Sequence, residues 1–280
     1  MAHLERHNRR CIDELNQRSG RTLSIIDLIR AGTLTSAMAA HALQAIESGA
    51  SLLTAAKTSG AGKTALMAGL LQLLPPGEPI ITLPGKQAID AAHLHPPAGP
   101  TCYLAHEIGT GGWYSYLWGE EASRFLSLAG GNRRVASCIH ADDLEELTAI
   151  IQGSPLSISR ELLDRVGLIL FIHLFRTPGG HLHRVTAFHL ADAARVRHHM
   201  YTFDAQADQM RAIASPPGLP YPVKQLAFIE QMVMEGVVDY QKVRRKVIQY
   251  YTQADGLTRI APAEQHAASA EQRKRAPPTA

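Results

Sequence analysis

Five consecutive residues, Gly60-Ala61-Gly62-Lys63-Thr64, carry the clearest chemical pattern in the sequence. Glycines at these positions let backbone N–H groups turn toward a polyphosphate, and a helix that begins near Lys63 would add its positive N-terminal dipole. The pattern is typical of the phosphate-binding end of a P-loop. Lys63 would place its charge on the β- and γ-phosphates of a nucleotide, and the Thr64 hydroxyl would be a ligand of Mg²⁺. The predicted nucleotide-binding residues are Ser59, Gly60, Ala61, Gly62, Lys63, Thr64 and Ala65.

The residues around this loop have the order that a P-loop requires, with a short apolar strand before it and an apolar helix after it. Pro75 and Pro76 stop that helix. One residue departs from the full pattern, because Lys57 stands where the first glycine is expected. A Cβ narrows the backbone conformations at this position, so we expect the loop to begin with a different geometry. The alternative interpretation is a surface turn that matches the pattern by chance.

Two further residues that could take part in catalysis follow predicted strands. Glu107 ends a strand predicted over 101–107, and His140 follows a strand predicted over 135–139. Because the carboxyl ends of parallel strands meet at one edge of a sheet, we expect both side chains to lie near Lys63 and one bound nucleotide. Glu107 would orient the attacking water or support Mg²⁺ from a strand next to the P-loop strand.

The roles of these residues leave alternatives open. His140 could contact the terminal phosphate or Glu107, or it could be an ordinary core histidine. Glu107 could be an exposed glutamate without a role, in which case Glu120 or Glu121 could be the catalytic carboxylate. The predicted catalytic residues are Lys63, Glu107 and His140, and the predicted metal ligands are Thr64 and Glu107. The candidates for a positive charge on the transition state are Arg124, Arg133, Arg134 and Arg176.

The composition excludes several classes of protein. Of the 280 residues, 45% are hydrophobic and 19% are charged, and the formal net charge of +3 does not by itself favour nucleic acid as a partner. Three widely spaced cysteines favour a reducing compartment over a disulfide framework. The first 21 residues are too polar for a signal peptide, and the longest apolar run, 166–175, is too short to span a membrane. We therefore expect a cytoplasmic protein.

Strands and helices are predicted to alternate along the chain. After the P-loop strand, the predicted strands are 79–83, 101–107, 135–139, 166–175 and 183–189, the last two forming a hairpin. The predicted helices include two over 24–49, one over 113–129, one that begins at 142 and two near the end of the chain, and 84–100 is predicted to be a connector. This order predicts an α/β fold, with a RecA-like P-loop NTPase core, a mostly parallel sheet and C-terminal helices.

Five segments of the chain share their pattern with one known family. They are TLSIIDLIRAG, the loop with the following LLPPGEPIITL, ASCIHAD, SPLSISRELLDRVGLILFIHLFR and FIEQMVMEGVVDYQKVRRKVIQYY. In this order they resemble the ATPases of type II and type IV secretion and pilus assembly, above all those of Tad pili and the archaellum. The resemblance covers roughly residues 21–252.

The resemblance implies a P-loop ATPase, a hydrolase that binds ATP and Mg²⁺ and assembles as a hexameric ring. Its partners would be a membrane platform or pilus and secretion proteins, which would hold it at the inner face of the membrane. Besides Lys57, two positions depart from the family: Pro84-Gly85 replaces an acidic pair, and Gly109 stands in place of the arginine that usually ends the Walker B segment. The large N-terminal domain of family members has no counterpart in the sequence.

These departures leave three functional hypotheses. The first is an ATPase that powers secretion or the assembly of type IV pilus-like filaments. The second is a nucleotide-binding structural or regulatory relative with weak or no hydrolysis. The third is a P-loop enzyme that acts on a small molecule, or on nucleic acid through the basic tail. The predicted divisions of the chain are a polar arm (1–20), a RecA-like nucleotide-binding domain (21–205), a C-terminal helical segment (206–259) and a disordered tail (260–280).

Overall fold

A central, mostly parallel sheet of ten strands organises the molecule, with helices packed on both of its faces. The computed structural model describes residues 2–15, 20–213, 216 and 218–253, and the tail predicted over 260–280 lies outside these residues. The α/β class predicted from the sequence is confirmed. None of the helices in the described ranges is long and apolar enough to cross a membrane.

The helices are α1 (Ala2–Leu15), α2 (Ile25–Arg30), α3 (Ser36–Glu47), α4 (Lys63–Leu71), α5 (Lys86–Leu94), α6 (Glu120–Leu126), α7 (Leu144–Gln152), α8 (Arg160–Leu163), α9 (Val223–Met234) and α10 (240–253). The strands are β1 (Leu52–Ala55), β2 (Ile80–Thr82), β3 (Thr101–Leu104), β4 (Glu107–Ile108), β5 (Tyr116–Leu117), β6 (Arg133–Ile139), β7 (Leu168–Thr177), β8 (Gly180–Ala191), β9 (Arg197–Asp204) and β10 (Gln209–Ala212).

The strand order is β10-β9-β8-β7-β1-β6-β3-β2. The five strands from β7 to β2 run parallel, and β8, β9 and β10 extend the sheet beyond β7 as antiparallel neighbours. The short strands β4 and β5 pair with each other beside the end of β6. The strand β6 therefore lies between β1 and β3, which decides how their ends meet.

Alternation along β1 separates two apolar cores. Leu52 faces a core shared with α1, α2, α3, α4, α9 and α10, whereas Leu53 faces a core shared with α5, α6, α7 and α8. All four residues of β1 are buried, as expected for a strand covered on both faces. The helix α4 is buried over most of its surface, and Gly69 permits its close approach to Leu28 of α2.

Helix α1 covers the outer edge of β2 with side-chain hydrogen bonds. The Asn8 amide donates to the Glu78 carbonyl oxygen at 2.8 Å and accepts from the Ile80 N–H at 2.8 Å. The His7 Nε2 atom lies 2.9 Å from the Ile80 carbonyl oxygen. The part of the predicted polar arm that is described, α1, therefore packs on the sheet through Asn8, Cys11, Ile12 and Leu15.

Side chains of α10 bind carbonyl groups beyond the C-terminal end of α4. The Arg244 guanidinium donates to the carbonyl oxygens of Gln72 and Leu74 and also pairs with Glu5 of α1. The Tyr251 hydroxyl donates to the Leu73 carbonyl oxygen at 3.0 Å. These donors satisfy carbonyl groups that a helix end leaves without intrahelical partners.

Most of the predicted elements are confirmed, including α2, α3, α4, the β7–β8 hairpin and the two C-terminal helices. The strand predicted over 101–107 is wrong at its end, because β3 stops at Leu104 and the chain then bonds to Ser115 through the N–H groups of His106 and Glu107. The helix predicted over 113–129 is wrong at its start. Gly119, with a φ of 58°, breaks the backbone there, and α6 begins only at Glu120.

Other differences between the predicted and the observed elements concern one helix, two strands and the order of strands in the sheet. The connector predicted over 84–100 contains α5, which buries Ile89 and Ala92. The strands β9 and β10 were not predicted, and the predicted division at 205/206 falls between these two paired strands. The expectation that Glu107 follows a strand next to β1 is wrong, because β6 comes between them.

A buried ion pair lies at the end of the sheet where the parallel strands begin. Arg134 at the start of β6 donates to both carboxylate oxygens of Glu78, at 2.6 and 2.9 Å, and to the carbonyl oxygen of Ile46 at 2.9 Å. Arg134 is 5% exposed and Glu78 is 2% exposed. Burial raises the pKa of Glu78 although the charge of Arg134 opposes this shift.

We expect Arg134→Ala to lower the free energy of unfolding by about 3–5 kcal/mol, because it leaves a buried carboxylate without its partner. The neighbouring Arg133, for which the described residues show no ion pair, provides the control Arg133→Ala. Chemical denaturation of both variants measures the difference. Equal losses in the two variants would contradict a structural role for the Arg134–Glu78 pair.

Candidate nucleotide-binding site

The segment that follows β1 and includes the first two residues of α4, called the glycine loop below (residues 57–64), contains two glycines with left-handed backbone. Gly60 has a φ of 81° and Gly62 a φ of 105°. A Cβ at Gly62 would lie 3.2 Å from Ile172 Cδ1 and 3.4 Å from His183 Nδ1. Position 62 therefore requires glycine for both its conformation and its close contacts.

The glycine loop forms one wall of a cavity of about 210 Å³. The cavity is lined by Leu15, Ser59, Gly60, Ala61, Gly62, Lys63, Thr64, His106, Glu107, Tyr116 and His140. Of the predicted nucleotide-binding residues, only Ala65 is not part of this lining. Sites for whole small molecules take about 300–1,000 Å³, so this cavity is smaller than such a site.

Lys63 is the buried cation of this cavity. It begins α4, is 7% exposed, and its Nζ atom lies 3.6 Å from Glu107 Oε2. The Nζ atom also lies 3.2 Å from His140 Nε2 and donates to the Ala56 carbonyl oxygen at 3.4 Å. The Thr54 hydroxyl holds the backbone at the same place by donating to the Lys63 carbonyl oxygen at 3.1 Å.

Glu107 reaches this cation from the short strand β4. It is 7% exposed, and Gly109 leaves the space that its carboxylate occupies, because a Cβ there would lie 3.0 Å from Oε1. The residue that stands in place of the family's arginine thus packs directly against the candidate carboxylate. Although β6 separates β1 from β3, the side chains of Lys63 and Glu107 meet above its end.

His140 lies between Lys63 and Glu107 because it follows β6, the strand between β1 and β3. Its Nδ1 atom is 2.8 Å from the Lys57 carbonyl oxygen, which only accepts, so Nδ1 carries a proton. Its Nε2 atom is 3.1 Å from Glu107 Oε1 and 3.2 Å from Lys63 Nζ. The neutral ring can accept from Lys63, and the protonated ring can donate to Glu107.

The side chain of Lys57 points away from the cavity. Its Nζ atom is 2.9 Å from Glu146 Oε1, and its N–H donates to Asp142 Oδ1 at 3.0 Å. The hydrogen bond and charge of Glu146 raise the pKa of Lys57. Lys57 is not among the described non-glycine residues with positive φ, so its backbone does not require glycine. The Lys57 side chain therefore does not fill the cavity.

The donor set of the cavity fits Mg²⁺ that arrives with a nucleotide. In the described part of the chain, no three His, Cys, Asp or Glu side chains are placed to hold a metal ion by themselves. Thr64 and Glu107 nevertheless line the same cavity and offer two oxygen ligands. Mg²⁺ commonly completes its six ligands with water and substrate phosphates, so two protein oxygens are sufficient.

The remaining candidates from the sequence lie elsewhere among the described residues. Glu120 and Glu121 are in the first turn of α6 and do not line the cavity. Arg133 and Arg134 begin β6 at the opposite edge of the sheet. Arg124 donates to Asp90, and Arg176 is exposed near the end of β7. Asp143 is the N-cap of α7.

Several residues around the loop were not predicted from the sequence. His183 of β8 lies with its Nδ1 atom 2.8 Å from the Ala61 carbonyl oxygen, although the two residues are 122 positions apart. Asp142 and Glu146, which hold Lys57, are also unpredicted contacts. Cys138 lies next to Thr54 of β1, and burial raises the pKa of its thiol to about 12, which disfavours the thiolate at neutral pH.

No protein-family model and no curated protein matches the chain. Among solved structures, the chain is similar to the VirB11 ATPase from the Brucella suis type IV secretion system in complex with sulphate, with a TM-score of 0.39 and 21% identity over 52% of this chain and 50% of that one. It is also similar to the Legionella pneumophila ATPase DotB, with a TM-score of 0.35 and 11% identity over 80% of this chain and 58% of that one.

The chain thus spans 50% of the length of the VirB11 structure and 58% of the DotB structure. Both TM-scores are below 0.5, so neither likeness bears on the chemistry of the site.

We expect Gly62→Ala to destabilise the protein more than Gly77→Ala, which is the matched control. Both substitutions place a Cβ at a positive φ, which costs about 1–2 kcal/mol, but only the Cβ at Gly62 meets Ile172 and His183. A Cβ at Gly77 has nothing within 4 Å. Denaturant unfolding measures both losses, and a loss at Gly62 no larger than that at Gly77 would refute the close packing described for the glycine loop.

Proposed function

We propose that the glycine loop is a P-loop in a RecA-like core, and that the chain binds ATP with Mg²⁺ and hydrolyses it. The observation that supports this most is the meeting of Lys63, Glu107 and His140 at the mouth of the loop, where the parallel strands β1 and β6 end and β4 lies beside them. Ligands of open α/β sheets bind at this edge. The order of sequence segments that resembles the secretion and pilus ATPases supports a motor of that kind.

The backbone would bind the phosphates. Gly60 and Gly62 allow the loop to turn its N–H groups inward, and the N-terminus of α4 adds a positive dipole at the same place. Lys63 neutralises charge on the terminal phosphates once its ammonium leaves Glu107. Mg²⁺, held by Thr64 and Glu107, would offset the charge that builds up on the phosphate oxygens during transfer.

Glu107 would align the attacking water. Its carboxylate is buried beside the cavity and is oriented by His140 at 3.1 Å. A carboxylate at this position can accept a proton from water as the water approaches the terminal phosphate. His140 joins the carboxylate to the loop through its bond to the Lys57 carbonyl oxygen, so it is a positioning residue for both.

The wider setting follows the family that the sequence resembles. The protein would act as a homo-oligomer, a hexameric ring in that family, with a membrane platform or with pilus and secretion proteins as partners. Arg176 is exposed near the end of β7 and has no ion pair among the described residues. Of the other three candidate arginines, Arg124 pairs with Asp90, and Arg133 and Arg134 lie where β6 begins, away from the glycine loop. A neighbouring subunit would receive the charge of Arg176.

A second candidate function is nucleotide binding without efficient hydrolysis. The observation that favours it is the engagement of Glu107 with both Lys63 and His140, which leaves its carboxylate less able to act on water. Such a protein would bind ATP as tightly as an ATPase and release no phosphate. Turnover measurements separate the two.

We expect Lys63→Ala to weaken ATP binding by about 10-fold to 100-fold, because hydrogen bonds to charged groups contribute about 1.5–3 kcal/mol. Titration calorimetry with a non-hydrolysable ATP analogue and Mg²⁺ measures the change. The control is Lys86→Ala, which removes an exposed lysine that pairs with Asp90 on α5. Equal affinities for the two variants would refute the nucleotide site.

We expect Glu107→Gln to retain ATP binding and to reduce phosphate release by about 100-fold or more, since general base catalysis contributes about 10²–10⁴-fold. Glu120→Gln, which changes the alternative carboxylate on α6, should leave the rate unchanged. Steady-state phosphate release measures both. A wild-type protein that binds ATP without turnover supports the second function, and a fall with Glu120→Gln alone would move the catalytic role to α6.

A further inference from the structure

The antiparallel strand β8 contacts the glycine loop through one polar side chain. His183 Nδ1 lies 2.8 Å from the Ala61 carbonyl oxygen. A carbonyl oxygen only accepts, so Nδ1 is the donor in this bond. The same ring atom lies 3.4 Å from the position that a Cβ on Gly62 would occupy, which shows how closely β8 approaches the loop.

This hydrogen bond fixes the direction of a neighbouring N–H group. The Ala61 carbonyl and the Gly62 N–H belong to one planar, trans peptide unit, so they point in opposite directions. Because the carbonyl is directed at His183, the Gly62 N–H is directed away from β8. Ala61 and Gly62 both line the cavity with Lys63 and Glu107. With the Ala61 carbonyl directed at β8, we therefore expect the Gly62 N–H to be directed toward the cavity.

The peptide needs such a restraint because the loop itself provides little. Gly62 has no Cβ and has a φ of 105°, and Gly60 on the other side of Ala61 also has positive φ. Glycine populates both signs of φ with similar ease, so Gly62 itself offers little resistance to rotation of the Ala61–Gly62 peptide. A rotated Ala61–Gly62 unit would present a carbonyl oxygen to the phosphates, which repels them.

We propose that His183 is a positioning residue, which holds the Ala61–Gly62 peptide so that the Gly62 N–H faces the phosphates of the nucleotide. The proposal rests on the proposed function of the glycine loop. It assigns to the β7–β8 hairpin a part in nucleotide binding that is independent of Lys63, Glu107 and His140.

The test compares three variants of the full chain. His183→Leu removes the donor and should weaken binding of a non-hydrolysable ATP analogue with Mg²⁺ by about fivefold to tenfold, the value of one hydrogen bond. His183→Asn places an amide N–H near the position of Nδ1 and should bind within about twofold of wild type. His181→Leu is the control, because His181 is exposed on the same strand and the same side.

Two binding results would overturn the proposal. One is unchanged affinity in His183→Leu while thermal unfolding shows a folded protein. The other is a loss in His183→Asn as large as that in His183→Leu, which would assign the effect to packing instead of the hydrogen bond.

A wild-type protein that binds no nucleotide would end the proposed function, and nucleotide-free crystal structures then decide this point separately. A rotated Ala61 carbonyl in His183→Leu, restored in His183→Asn, supports the positioning role. An unchanged carbonyl in His183→Leu overturns it.

Discussion

The burial of one ammonium group governs the candidate site. Lys63 is 7% exposed, and a charge removed from water is stable only with close partners. Glu107, His140 and the Ala56 carbonyl oxygen provide these partners, and each follows a different strand or precedes the loop. The strands β1 and β6 end at the same height, with Ala55 opposite Ile139. The strand β3 ends three residues earlier, opposite Ala136, and the short strand β4 brings Glu107 to the end of β6 through the pairing of Ile108 with Ile139. The sheet thus sets the electrostatics of the loop.

The same constraint explains why Lys57 does not interfere with this site. Two lysine ammonium groups in one small cavity would repel each other, and the first is directed outward to Glu146. Its backbone meanwhile binds Asp142 through the N–H and His140 through the carbonyl oxygen. The segment after β6 therefore holds the entrance of the loop, whereas His183 of β8 holds its centre. A loop rich in glycine obtains its shape from neighbours on both sides.

Local patterns were sufficient to predict α4, the strand β6 that precedes His140, and the approach of Glu107 and His140 to Lys63. Parallel strands share the direction in which their ends point, so order along the chain was enough. It was not enough for the position of β6 between β1 and β3, because neighbours in a sheet depend on packing across the whole chain. The helix α5 was missed since prolines and histidines near Leu94 resembled a connector. His183 could not be foreseen, because its partner is a backbone atom far away in sequence.

The contacts of α1 at the edge of β2 have a consequence for self-association. An outer strand exposes backbone donors and acceptors that can recruit a strand of another molecule. Here the Asn8 amide bonds to the Ile80 N–H and the Glu78 carbonyl, and so imitates the partner strand that this margin lacks. The Asn8 side chain of α1 thereby occupies backbone groups of β2 that could otherwise pair with a strand of another molecule and start aggregation.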